Sequence, residues 1–433
     1  MIYNQFRQNR RTFLKVAGAG LAASALPLNP ALAQEKVKLL LWSWLPDFQT
    51  QVDMFMATHP NIEVELVNAG QGGGQYANLR AGMQAGSGLP DVTQMEFQFV
   101  NSFRQTDAFL DIGQWANAHK SAFPAGSWNQ ISEGDSVYAM PWDSGPMALL
   151  YRNDVFEKHG IEPPKTWGAF AESAIKLHEA DANAFLTNAP FTQGGWTNAL
   201  LWQSGWRPVQ RNGAEIAINI NDKVAKDFAA YWQALIDVGA IETQPDFTTE
   251  WYKGLDEGRY ATWIAAGWGP VFLSGVATNS AGKWRASDLP QWTEDAFVTS
   301  NWGGSTLAVM KSTQHPAEAA ELAIWLTTNI EAATLYTTKQ FLFPTLTSIL
   351  ESPEFAGQQN PFYGGQAVNE VFAKSASAID LNFEWSPFQD YFYQSMTDEF
   401  GAALSGSGSL ADAFDRIQDS VVTFAQDQGF TVV

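Results

Sequence analysis

Candidate acids for chemistry on a sugar stand beside aromatic side chains at Glu96-Phe97, Trp142-Asp143, Glu250-Trp251 and Glu384-Trp385. Two carboxyl groups flanking a sugar ring are what glycoside hydrolysis requires, one protonating the leaving oxygen while the other attacks or activates water. The same residue types also serve a site that only binds, where a carboxylate accepts hydrogen bonds from vicinal hydroxyls and no proton moves. The two chemistries differ in the separation of the carboxyl groups, which a sequence does not contain, so both stay open at this level.

Other reactive constellations are missing. Gly70-Gln71-Gly72-Gly73-Gly74-Gln75 is glycine-rich, yet it lacks a following Lys-Ser/Thr and breaks the GxGxxG spacing at Gln75, so it reads as a flexible loop between a strand and a helix. The five histidines (His59, His119, His159, His178, His315) are scattered without an HExxH pair, and no GxSxG elbow occurs. Zero cysteines remove disulfides, thiolate nucleophiles and the lipid-bearing cysteine of a lipoprotein. No cofactor and no metal are expected.

Composition narrows the partners. The formal net charge is -20, and residues 1–33 hold Arg7, Arg10, Arg11 and Lys15 with no acid, leaving 21 basic against 45 acidic residues beyond them. Such a surface repels nucleic acid and anionic lipid. Aromatic residues make up 13% of the chain, with 18 Trp, more than core packing ordinarily uses. Indole faces match the C–H faces of pyranose rings and ask for no charge on the ligand. At the N-terminus, NRRTFLK, an apolar run from Val16 to Leu26 and Ala31-Leu32-Ala33 read as a twin-arginine export signal occupying residues 1–33. The run is too short to span a membrane, so the expected mature form has no membrane span and resides in the periplasm.

The elements that must position these residues follow a βαβα rhythm. Lys38 to Trp42 reads as a buried strand, Asp47 to Thr58 as a helix, Asn61 to Val67 as a strand, Tyr76 to Gln84 as a helix and Val92 to Met95 as a third strand. Helical spacing returns at 166–180, 222–238 and 317–328. Alternation of this kind argues for an α/β fold with a parallel sheet covered by helices.

Three stretches carry a resemblance: AGSGLPDVTQMEFQFV (85–100), YAMPWDSGPMALLYRNDVFEKHGIEPPKTW (138–167) and NWGGSTLAVMKSTQHPAEAAELAIWL (301–326). In order and spacing they resemble extracellular solute-binding protein family 1, the sugar-binding proteins of ABC importers that include maltose-binding protein. The resemblance implies a two-lobed periplasmic-binding-protein-like fold with an interlobe ligand cleft and a hinge. Lobe I would comprise residues 35–143 and 302–345, and lobe II residues 144–301 and 346–433. It further implies a monomer that is not an enzyme, that captures a neutral mono- or oligosaccharide and that delivers it to the membrane permease subunits of an ABC transporter. The ligand-facing positions it suggests are Trp44 and Glu96 at strand ends, Trp142 and Asp143 after the first crossing, Trp196 in a loop, Trp268 at a strand-to-helix turn, Trp302 and Gly303 at the return crossing, and Glu384 with Trp385. Gln71 or Gln75 of the glycine-rich loop would face the ligand too. Alternatives from the residues themselves are a secreted glycoside hydrolase, or a binding protein for a polyol or polyamine.

Overall fold

A computed structural model describes residues 36–70, 72–213, 215–338 and 342–433. The expected export signal lies outside these residues, as does Gln71.

The apolar run at the start forms β1 (Val37–Trp42), followed by α1 (Gln49–Thr58), which buries Val52 and Phe55 and stops before His59-Pro60. Then come β2 (Ile62–Val67), α2 (Gly73–Ala85), β3 (Val92–Glu96) and α3 (Phe97–Gln105). β1 pairs in parallel with β2 from Val37↔Ile62 to Trp42↔Val67, and with β3 at Leu41↔Val92. The expected parallel sheet is therefore present, with β1 and β2 ending side by side at Trp42 and Val67 and β3 running three residues further, to Glu96.

Downstream, the larger elements are β4 (Met140–Pro141), β5 (Met147–Arg152), α4 (Trp167–Ala180), α5 (Gly194–Gln203), α6 (Lys223–Asp237), α7 (Thr249–Glu257), β6 (Thr262–Ala266), α8 (Gly269–Val276), β7 (Trp284–Ser287) and β8 (Ser305–Val309). The chain closes with α9 (Pro316–Thr328), α10 (Val368–Ser377), α11 (Gln389–Leu404) and α12 (Leu410–Asp427) among the longer helices. Helix starts follow their side chains: Thr166 accepts from the Ala169 N–H at 3.1 Å to open α4, and Asp222 accepts from the Ala225 N–H at 2.9 Å to open α6.

The first sheet has the order β2-β1-β3-β8-β4, with β8 antiparallel to β3 in the register Ser305↔Glu96 to Val309↔Val92. A second, antiparallel sheet has the order β6-β5-β7. Apolar side chains collect into two buried clusters. One gathers Leu41, Phe55, Met95, Leu307 and Leu322 around the first sheet; the other gathers Trp167, Trp196, Trp232, Phe392 and Phe414. Strand β5 serves both, because successive side chains point to opposite faces. Ala148 and Leu150 enter the first cluster, while Met147 and Leu149 enter the second.

Between the clusters three chain segments run side by side. The Trp302 N–H donates to the Gly145 carbonyl at 2.8 Å, the Asp143 and Ser305 backbones exchange hydrogen bonds at 3.2 Å each way, and the Ser144 N–H donates to the Phe343 carbonyl at 2.9 Å. This approach needs glycine: a Cβ on Gly145 would stand 1.9 Å from the Trp302 carbonyl oxygen, and Gly304, at φ +88°, would place one 2.8 Å from the Asp143 oxygen.

Candidate ligand cleft

Glu96 ends β3 and directly precedes α3, so its carboxylate emerges at the carboxyl edge of the parallel sheet, where open α/β sheets receive ligands. Its Oε2 accepts from the Tyr76 hydroxyl at 2.8 Å and its Oε1 from the Gln98 amide at 3.0 Å. Burial raises the Glu96 carboxyl above its usual range, and these two donors oppose the rise. Beneath it runs a buried polar network. The Ser43 hydroxyl donates to Gln94 Oε1 at 2.7 Å, the Trp44 N–H donates to the same oxygen at 3.2 Å, and the Gln94 amide donates to Ser305 Oγ at 3.0 Å. Gln75 joins from α2 by donating to the Gln94 carbonyl at 2.7 Å. The network ties three strands together at their ends and fixes Trp44, which stays half-buried with its ring 6.2 Å from that of Tyr76. Gln75 is thus bound into the wall and spends its amide nitrogen there.

Asp143 lies one step further along the crossing. Its Oδ1 accepts from the Ser305 N–H at 2.5 Å, and burial pushes its carboxyl up to about 7, with the Glu96 charge adding to the rise. Asp143 is 5% exposed and therefore braces the crossing segments as well as bordering the Glu96 site.

At the return crossing lies an aromatic group. The Trp268 and Trp302 rings are 4.8 Å apart at 67°, and the Trp268 indole N–H donates to the Trp302 carbonyl at 3.0 Å. Gly303, at φ +72°, passes close to the Trp268 nitrogen, which a Cβ would approach to 3.5 Å. Phe247 packs 6.0 Å from Trp268 and 6.2 Å from Trp302. From α5, Gly195 lets the Trp302 indole come so near that a Cβ would stand 2.6 Å from its Nε1, and Gly194 receives the Tyr393 ring in the same way at 2.8 Å. Tyr393 in turn feels the Glu96 charge, which adds to burial in raising its phenol.

Several expected positions fall elsewhere. Trp196 is not in a loop: α5 begins at Gly194, and the ring is 1% exposed in the second core against Phe191 and Trp232. In TQGGWTN, the glycines border the aromatic wall and the tryptophan anchors the helix behind it. Trp142 is 4% exposed, packed 4.7 Å from Phe48 and 5.3 Å from Tyr336, so its ring fills the first core rather than offering a stacking face. Glu384 is exposed and accepts from the Arg211 N–H at 3.3 Å. Together with the buried Trp385, it borders a separate cavity of about 280 Å³ lined also by Asn101, Arg104 and Gln130. Trp385 makes a structural bridge there, its indole donating to Gln130 Oε1 at 2.8 Å and its carbonyl accepting from the Asn101 amide at 3.1 Å.

Tyr76, Phe247 and Tyr393 were not singled out by sequence reasoning. Tyr76 follows the glycine-rich loop directly, and that was the available signal; nothing local marks the other two. Among the described residues, no group of three or more His, Asp or Glu side chains could hold a metal ion, and no helix is long and apolar enough to cross a membrane.

The fold that positions these residues is shared with solved proteins. The chain belongs to the bacterial extracellular solute-binding protein family, whose sequence profile matches residues 42–333. Members of that family bind without catalysing. The chain superposes with a TM-score of 0.79 on the ABC transporter associated binding protein from B. animalis subsp. lactis in complex with beta-1,6-galactobiose, at 27% identity, covering 92% of this chain and 99% of that one. With the galacto-N-biose-/lacto-N-biose I-binding protein of Bifidobacterium longum the TM-score is 0.81 at 24% identity and the same coverage. In sequence, the lactose-binding protein of Rhizobium radiobacter is 23% identical over 416 residues, 92% of this chain and 95% of that protein. The two-lobed α/β fold expected from the three motifs is the observed one.

Proposed function

We propose that the protein is the periplasmic substrate-binding component of an ABC importer, that it captures a neutral mono- or oligosaccharide between its lobes, and that it hands the ligand to the permease subunits. The observation that carries this reading is Glu96 at the carboxyl edge of the sheet, its carboxylate held by Tyr76 and Gln98, with the half-buried Trp268 ring packed on Trp302 at the return crossing as the aromatic partner this reading assigns to it. A carboxylate fixed by neutral donors accepts from hydroxyls, and indole faces cover the apolar side of a sugar ring. Arg80, the cation that bears on Tyr76, is engaged in an ion pair with Asp390, which supports a neutral over an anionic ligand. Relatives named for lactose and arabinooligosaccharide support the carbohydrate class.

Within this reading Trp44, Glu96, Asp143, Trp268 and Gly303 border the ligand, while Trp302, 6% exposed in the second cluster, backs Trp268 and does not offer a stacking face of its own. The lobes comprise about 35–143 with 302–345, and 144–301 with 346–433; they move about the crossing segments, and closure presents one docking patch from each lobe to the permease. The protein acts as a monomer, and residues 1–33 direct it through the twin-arginine route.

The test is titration of purified protein with monosaccharides, disaccharides, short oligosaccharides, polyols and polyamines, followed by tryptophan fluorescence with the mixtures assayed for products. Saturable binding of a saccharide with the ligand recovered intact is expected. Product formation, or saturation by a polyamine alone, would overturn the proposal.

A further inference from the structure

Between Arg259 and Lys283 the chain carries no Asp, Glu, Lys, Arg or His, although it holds 45 acidic and 25 basic residues in all. That uncharged stretch includes α8, which buries Leu273 and leaves Phe272 51% and Val276 41% exposed. A surface helix usually turns charged or polar side chains outward, so an outer face of this kind is unusual.

A lone exposed apolar residue needs no explanation, but these two continue a line. Trp268 stands at the helix N-cap with helical φ -79° and ψ -17°, and Trp268, Phe272 and Val276 follow one another at four-residue intervals, the spacing that keeps successive side chains on one face. The stripe begins at the half-buried Trp268 and runs along the helix for about 12 Å at 1.5 Å per residue. The Phe272 ring meets the Trp268 ring edge to face, 5.7 Å away at 86°, and makes no other ring contact among the described residues. Its own face is therefore left open beside the indole. A protein partner recognising so acidic a chain would be met by carboxylates, and the stripe offers none. A neutral chain of sugars, already seated on Trp268, fits an uncharged row of apolar side chains that continues from that ring.

We infer that the ligand is an oligosaccharide longer than a disaccharide, and that Phe272, with Val276 beyond it, seats the units that follow the one on Trp268. This rests on the carbohydrate reading above and deepens it, because a ligand that extends along α8 is selected by length. Each added unit gains contact until the stripe ends, and Phe272 is the residue that rewards the third.

Isothermal titration of wild type, Phe272→Ala and Phe272→Tyr against three series tests this: glucose, maltose and maltotriose; galactose, beta-1,6-galactobiose and the corresponding trisaccharide; arabinose, arabinobiose and arabinotriose. Unfolding temperature and light scattering of the ligand-free proteins are measured in parallel. In at least one series wild type should bind the trisaccharide about fivefold or more tighter than the disaccharide, within the range of one stacked ring. Phe272→Ala should cut that gain at least threefold while unfolding within a few degrees of wild type, since the ring is exposed, and Phe272→Tyr, which keeps the ring face, should retain it. A smaller gain in wild type, or a gain that survives in Phe272→Ala, overturns the inference and leaves the carbohydrate reading standing. A wild-type dimer that Phe272→Ala converts to monomer gives the stripe to a second copy and overturns the inference too. Binding of no member of any series overturns the carbohydrate reading, and this inference with it.

Discussion

The Tyr76 hydroxyl donates to the Glu96 carboxylate at 2.8 Å and accepts from the Glu96 backbone N–H at 3.2 Å, so one phenol holds both the side chain and the main chain of the residue that ends β3. Carboxylate orientation at the sheet edge thus depends on α2, which supplies the tyrosine. Tyr76→Phe should leave the fold intact and weaken saccharide binding by about tenfold, near the 1.5 kcal/mol of a hydrogen bond to a charged group. Calorimetric titration gives the answer, and an unchanged dissociation constant would remove Glu96 from the list of oriented acceptors.

Two tryptophans of the crossing should separate stability from binding. Trp142 is enclosed by Phe48 and Tyr336, so Trp142→Ala should cost about 3–5 kcal/mol in urea unfolding. Trp268, half-buried at the aromatic wall, should cost much less when replaced by alanine and should abolish saturable sugar binding. The reverse pattern would exchange their roles.

Stability should fall as pH rises from about 4 to about 7. Asp143 and Asp246 are both pushed up to about 7, chiefly by burial. A carboxyl with a folded value above its unfolded value holds its proton more tightly in the native state, so stability is greatest below the unfolded value and is lost through the window up to the folded one. Each group can contribute a slope of at most about 1.4 kcal/mol per pH unit within that window. Urea denaturation at pH 5, 6, 7 and 8 should show the decline, and Asp143→Asn, which keeps an acceptor for the Ser305 N–H, should flatten it. An equal slope in the variant would refute the assignment to Asp143.

Gly145→Ala should be far more harmful than Gly86→Ala. The first would drive a methyl to 1.9 Å from the Trp302 carbonyl, which also receives the Trp268 indole, whereas the second meets nothing within 4 Å and bears only the strain of φ +65°. Expected costs are above ~3 kcal/mol against about 1 kcal/mol, read from thermal or urea unfolding.

Much of the framework is legible in the chain. The apolar runs at 38–42 and 92–95 and the 3.6-residue spacing at 222–238 are local signals, and they became β1, β3 and α6 because each segment's pattern agrees with its place in the layers. Placement was legible at a strand end or a glycine-marked crossing, as for Glu96 and Trp302. It was not where tryptophan type alone suggested a contact. Trp196 and Trp385 read like wall residues, yet one lies one turn into a helix and the other is held by Gln130 across a long sequence gap, and neither fact leaves a local trace. Phe247 shows the opposite failure: its left-handed backbone is set by its surroundings, and the sequence TQPDFTT gives no glycine or asparagine to announce it.

Strand β5 sends alternate side chains into both hydrophobic clusters. Neither half of the molecule therefore owns a complete interior, and excising one would strip the other of a wall. Heat or denaturant should meet residues 36–433 as one melting unit with a single transition, and a fragment cut at the crossing should be insoluble on its own. For an exported receptor this has a practical side, since a chain that melts all at once offers proteases no half-folded remnant to trim.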